Sequence, residues 1–124
     1  MIHTTDRGPA EELVDAVAAQ DFERVETLFA PNVRFRALIP NGLREDATAA
    51  DAAARMRGWF GDCDPLELLD SEVQQVADRV HVRYRFHARE EGNWHLVEQQ
   101  AYLTVEDGRI SDITILCSGF RVVD

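Results

Sequence analysis

The chain has 124 residues and carries 23 acidic against 13 basic side chains, a net charge of −10. That length fits one domain with its own core, and 45% hydrophobic and 29% charged residues is an ordinary globular balance. The acidic excess argues against nucleic acid and anionic membrane as partners, which demand a basic footprint, and the two cysteines, Cys63 and Cys117, are too few for a disulfide framework and wrongly spaced for zinc.

Residues 1–8 are polar, are expected to fray, and lack the basic start and apolar core of a secretory leader. No apolar run approaches the ~20 residues of a membrane span, so a cytoplasmic protein with two reduced thiols is expected. Pro9 suits the first turn of a helix, on which Leu13, Val14, Val17 and Ala18 share a face. Asp21 can cap a second helix with the stripe Phe22, Val25, Leu28 and Phe29. Pro31-Asn32 stops it. Val33 to Leu38 alternates as a strand, and Pro40-Asn41-Gly42 is a turn.

A third helix starts at Asp46 or Thr48, with Thr48-x-x-Asp51 as a loose capping box. Ala49, Ala52, Ala53, Met56, Trp59 and Phe60 share its buried face. Gly61 and Pro65 end it. Leu68 to Val76 reads as a weak strand, Ala77-Asp78-Arg79 as a tight connection, and Val80 to Ala88 as a strand of unbroken alternation. Trp94 to Val105 and Arg109 to Cys117 are two further β-rich runs around the acidic loop Glu106-Asp107-Gly108, a hairpin signal. Ser118-Gly119 bends the chain before a short last segment, Phe120 to Val123. Three helices followed by an antiparallel meander predict an α+β fold, three N-terminal helices packed on a curved mixed or antiparallel β-sheet, in a single domain spanning 1–124.

Loop length sets which side chains share a face. A two-residue loop at Glu91-Gly92 places Phe86 opposite Val97, Tyr84 opposite Gln99, Val82 opposite Ala101 and Val80 opposite Leu103. For the next hairpin a three-residue loop, Glu106-Asp107-Gly108, is preferred, with Leu103 opposite Ser111, Ala101 opposite Ile113, Gln99 opposite Ile115 and Val97 opposite Cys117. The two-residue alternative would turn Asp112 and Thr114 onto the apolar face, and a bulge would swap the faces. The inner face then holds Val80, Val82, Tyr84, Phe86, His95, Val97, Gln99, Ala101, Leu103, Ile113, Ile115 and Cys117. The outer face carries Trp94, Leu96, Tyr102 and Leu116, too apolar for water alone. A sheet-to-sheet homodimer would cover them.

Three runs, Ala19-Gln20-Asp21-Phe22-Glu23, Leu28-Phe29-Ala30-Pro31-Asn32-Val33-Arg34-Phe35 and Val105-Glu106-Asp107-Gly108-Arg109-Ile110, carry a resemblance. The chain resembles the nuclear transport factor 2-like superfamily, in its SnoaL-like and ketosteroid-isomerase-like branch, over nearly its whole length. The resemblance implies a cone: a strongly curved sheet around a long helix, with a pocket at the open end. It also implies an isomerase, cyclase, dehydratase, epoxide hydrolase or non-catalytic binder, commonly dimeric. The isomerase's catalytic tyrosine would fall on Leu13, its general-base aspartate on Ala37 and its second aspartate on Ala101 or Gln100. None of these can transfer a proton at pH 7, so enolisation by that route is not expected.

Gln99 is the odd polar residue of the inner face. It either pairs with Tyr84 or backbone, or orients a ligand. His95 is either a rim histidine or an acid–base group. Together they are the best catalytic candidates. Cys117 is either a small buried hydrophobe or a nucleophile. Glu98 and Gln100 face outward beside Arg85 and Arg83, unless a bulge turns Glu98 inward as a base. The expected ligand pocket is Phe35, Met56, Trp59, Phe60, Tyr84, Phe86, Gln99 and Cys117. No metal site is expected, since His81 and His87 lie roughly 20 Å apart along a strand, and no cofactor is implied. The expected function is a pocket protein that binds or transforms an apolar cyclic metabolite. The alternative is a non-catalytic ligand-binding or dimerisation module.

Overall fold

The computed structural model describes residues 4–123. Helix α1 (Thr4–Ala18) buries Ala10, Leu13, Val14 and Val17. Of the residues expected to fray, 4–8 lie in this helix and 1–3 are outside the described residues. Gln20 takes a left-handed φ of 57° at the corner, and Asp21 caps α2 (Phe22–Leu28) by accepting from the Arg24 N–H at 3.2 Å. Phe29, expected at the end of that helix, instead opens strand β1 (Phe29–Ile39), still buried. Pro31 and Asn32 sit where β1 loses register against its neighbour, which is where a residue without an N–H is tolerated in a sheet.

The turn at Pro40-Asn41 leads into β2 (Gly42–Asp46), a short edge strand that the sequence reading missed. Thr48 caps α3 (Ala49–Phe60), its hydroxyl accepting from the Asp51 N–H at 3.1 Å. Asp46 does not start this helix. It ends β2 and accepts two hydrogen bonds from Arg55, 2.5 and 3.3 Å long. The amide of Gln20 donates to the carbonyls of Phe60 and Cys63, both at 2.8 Å, and ties the α1–α2 corner to the end of α3.

The meander follows as β3 (Leu66–Val76), β4 (Arg79–Glu90), β5 (Asn93–Glu106) and β6 (Arg109–Cys117), with β7 (Arg121–Val123) after a break. The sheet order is β2-β1-β6-β5-β4-β3, with β1 and β6 parallel and the other pairs antiparallel. β7 continues along β5 beyond the end of β6, opposite Trp94 to Leu96. The α+β architecture is therefore three helices on one face of a mixed, cone-forming sheet, with the core between the layers.

The β4–β5 register is as expected: Tyr84 opposite Gln99 and Phe86 opposite Val97. The β5–β6 register needs correction. The turn is two residues, Asp107 and Gly108, with φ of 52° and 78°, and Glu106 lies opposite Arg109. These positive φ values are those of the turn that matches strand twist. Ser111 is then an extra residue in β6, its hydroxyl donating to the Thr104 carbonyl at 3.3 Å. That bulge restores the parity that the tight turn alone would have lost. Leu103 consequently faces Ile113, Ala101 faces Ile115 and Gln99 faces Cys117. The aliphatics stay inside as expected, each moved by two positions.

Candidate functional site

Tyr84, Gln99 and Cys117 form one row across β4, β5 and β6 on the inner face. Gln99 is 1% exposed, the one polar side chain in the buried core among the described residues. The Tyr84 hydroxyl donates to Gln99 Oε1 at 2.5 Å. With the amide oxygen towards the tyrosine, its Nε2 is turned away from it. Burial, aided by Cys117, pushes the Tyr84 phenol well above its ordinary value. Tyr84 therefore remains a neutral donor. Gln99 Nε2 is buried and has no partner among the described residues.

The cone opens where the C-terminal end of α3 meets the ends of β1 and β6. A cavity of about 440 Å³ lies there, between the Ile39–Pro40–Asn41 turn, Trp59 and the segment 117–121. The Phe120 ring packs on Phe60 at 5.7 Å and on the His95 ring at 6.0 Å, and so forms its inner wall. Gly119 holds φ at 80° and runs so close to Pro40 that a Cβ would stand 2.7 Å from its Cγ. His95 is half-buried against the Phe120 ring, and its Nδ1 also lacks a partner among the described residues.

Of the eight residues expected to line a pocket, Trp59 and Cys117 line this one. Phe35, Met56, Phe60, Tyr84 and Phe86 are packed in the core at 0–1% exposure, and Gln99, buried beside Cys117 in the same row, does not line the cavity. Aromatic contacts run unbroken from Phe29 through Phe35, Trp59, Phe60 and Phe86 to Tyr84. Rings fill the depth of the cone and leave the cavity at its mouth. Sequence reasoning missed Ile39, Pro40, Asn41 and Phe120. The available signal was the Ser118-Gly119 bend, which returns the chain across the open end just before an aromatic residue.

Glu98 and Gln100 are on the outer face, as expected. Gln100 Oε1 lies 3.2 Å from His81 Nε2. Asp70 accepts from Arg83 and Arg85, and the Arg85 guanidinium holds its carboxyl below the usual range. Arg83, Glu98, Gln100 and Leu116 frame a second depression of about 340 Å³, backed by Cys117 and Ser118. The inner positions from Val80 to Ala88 and from His95 to Leu103 carry no carboxylate. Leu13, Ala37 and Ala101 are buried apolar groups. The inner face can offer hydrogen-bond donors and one imidazole. Among the described residues, no three His, Cys, Asp or Glu are grouped to hold a metal ion, and no helix is long and apolar enough to cross a membrane.

A family model described as a SnoaL-like domain matches residues 10–113. No curated protein matches the chain. Among solved structures, an LEH-like epoxide hydrolase of M. tuberculosis superposes with a TM-score of 0.74 at 15% identity, over 93% of this chain and 84% of that one. A candidate polyketide cyclase of Pseudomonas putida KT2440 gives 0.73 at 19% identity over 89% of each chain. A ketosteroid-isomerase-like protein of Catenulispora acidiphila DSM 44928, in complex with trimethylamine, gives 0.73 at 11% identity, over 90% of this chain and 85% of that one. At these identities the likeness is one of fold.

Proposed function

The chain belongs to the SnoaL-like domain family, and on that premise we propose that it takes a small apolar, cyclic metabolite into the cavity at the mouth of the cone. The cavity carries this reading: about 440 Å³, walled by Ile39, Pro40, Trp59 and Phe120, in the size range of small-molecule sites. Binding is the better-supported half. Any transformation would be cofactor-free isomerisation, cyclisation or hydrolysis with His95 as the acid–base group. Ketosteroid-isomerase-type enolisation is disfavoured by apolar Leu13, Ala37 and Ala101. The buried free thiols Cys63 and Cys117 suit the reducing cytoplasm. Exposed Leu116 and Tyr102 support a second copy on the outer sheet face.

The test uses Trp59 as reporter in a Trp94→Phe background. A panel of naphthalene-sized cyclic molecules should quench it saturably, and Ile39→Trp, which fills the cavity, should remove that response. A flat response from every member of the panel would refute the reading. Host metabolites captured by native mass spectrometry can then be incubated with wild type and His95→Ala. Turnover lost with binding kept identifies an enzyme; binding without turnover in wild type identifies a carrier.

A further inference from the structure

The chain has one Asn-Gly pair, Asn41-Gly42, and it falls where β1 turns into β2. Asparagine is chemically labile, the more so when the next peptide nitrogen can reach its side-chain carbonyl. The other two asparagines are shielded. Asn32 precedes β-branched Val33 and Asn93 precedes Trp94, each in a strand. Asn41 is exposed, and its amide has no hydrogen-bond partner among the described residues. Gly42 has no side chain to shield its nitrogen. Among the described residues, the one atom within 4 Å of where its Cβ would stand is Arg44 Nη1, at 3.7 Å. That nitrogen donates to the Leu43 carbonyl at 3.2 Å, which keeps the guanidinium over the turn.

We propose that Asn41 is a self-modifying site. The Gly42 nitrogen attacks Asn41 Cγ, the bond from Cγ to Nδ2 breaks, and ammonia leaves with the proton of the Gly42 N–H. A five-membered succinimide results. Water then opens the ring, at Cγ to give aspartate or at the main-chain carbonyl to give isoaspartate. The Arg44 cation favours loss of the Gly42 proton and steadies the oxyanion that forms on Cγ. Ile39 and Gly42 close the hairpin, so this pair must part for the attack. At the end of a five-residue edge strand such local opening needs little energy. Either product sets a carboxylate in the cavity wall, which Asn41 shares with Arg121. Isoaspartate also adds a methylene to the main chain of a two-residue turn. Pro40 is the other residue of that turn and lies so close to Gly119 that no Cβ fits between them. The longer turn therefore displaces Pro40, and with it the seat of Phe120.

Purified protein aged at neutral pH, folded or in urea, is digested and mapped by mass spectrometry. An isoaspartyl O-methyltransferase with a methyl donor counts the isoaspartate. Asn41 should convert several-fold faster than Asn32 or Asn93, and as fast in the folded protein as in urea. Arg44→Gln should slow the folded protein several-fold, and Asn41→Gln should abolish methyl uptake at this turn. Conversion confined to the urea sample would mean that the hairpin protects Asn41, and overturns the proposal. An undiminished rate in Arg44→Gln removes the guanidinium from it. Trp59 emission, read in the Trp94→Phe background, tests the consequence. It should move to longer wavelength in aged protein and stay in place in Asn41→Asp, which brings the charge without the methylene. Unchanged emission on ageing overturns the displacement of the wall.

Discussion

Cys63 shows how one side chain reports the closure of the fold. It is 3% exposed, just past the C-terminal end of α3, with its thiol 3.9 Å from the Trp59 carbonyl. Burial, with Glu90 and Asp62 nearby, pushes the thiol up to about 11 from 9.0. The folded state therefore holds this proton more tightly than the unfolded chain does. The resulting stabilisation is complete below pH 9 and is lost as pH rises through about 11. Alkylation of native protein by iodoacetamide, located by mass spectrometry, should be slow at Cys63 at pH 8 and climb towards pH 11. The unfolding midpoint in urea should fall over the same interval. Fast labelling at pH 8 would show that the end of α3 opens readily.

At the scale of the element, close approach decides more than pattern does. Gly92 and Gly119 both have a φ near 80°, but nothing lies within 4 Å of a Cβ at Gly92, whereas one at Gly119 would meet Pro40 Cγ at 2.7 Å. Gly92→Ala should cost about 1 kcal/mol, the strain of a left-handed residue. Gly119→Ala adds a collision with a rigid ring. It should cost at least about 2–3 kcal/mol and displace Phe120 from the cavity wall. Thermal denaturation of the two variants measures the difference, and equal losses would mean that the 117–121 segment yields without effort. The same distinction explains what could be read from the sequence. The alternation in β4 and β5, the Thr48 cap and the Tyr84–Gln99 pairing are local or period-two signals, and each was legible. The short edge strand β2, the Ser111 bulge and the seat of Phe120 were not. β2 is a five-residue hairpin arm with no buried residue to mark it, and the bulge is one residue inserted beside a tight turn, whereas the seat of Phe120 depends on Pro40 meeting Gly119, a contact between residues about 80 positions apart. The site was half legible for that reason. Its buried donor lay on a strand whose phase could be counted, but its walls came from loops that only the closed fold brings together.

At the scale of the whole molecule, charge and apolar surface oppose each other. On the outer face Leu43, Leu38 and Leu116 are direct neighbours across β2, β1 and β6, and each is about half exposed, as is Tyr102 on β5. Trp94 and Leu96, expected to share in this patch, are partly covered, Trp94 by stacking on His87 at 4.1 Å. The apolar surface is thereby shifted towards the β2 edge. A second copy meeting this patch across a two-fold axis would lay leucine on leucine, but each copy brings a net charge of −10. Like charges repel over roughly 30 Å at 0.01 M salt and only about 8 Å at 0.15 M. Association should therefore tighten as salt is added, opposite to a contact made by ion pairs. Sedimentation from about 0.02 to 0.3 M sodium chloride should show the dimer fraction rising several-fold. Leu116→Asp sets a carboxylate in the middle of the patch and should leave a monomer at every salt concentration. Its melting temperature, measured below the dimer's dissociation constant, should match that of wild type, because Leu116 points away from the core. A wild-type monomer throughout, or an undiminished Leu116→Asp dimer, would remove this face as the site of self-association.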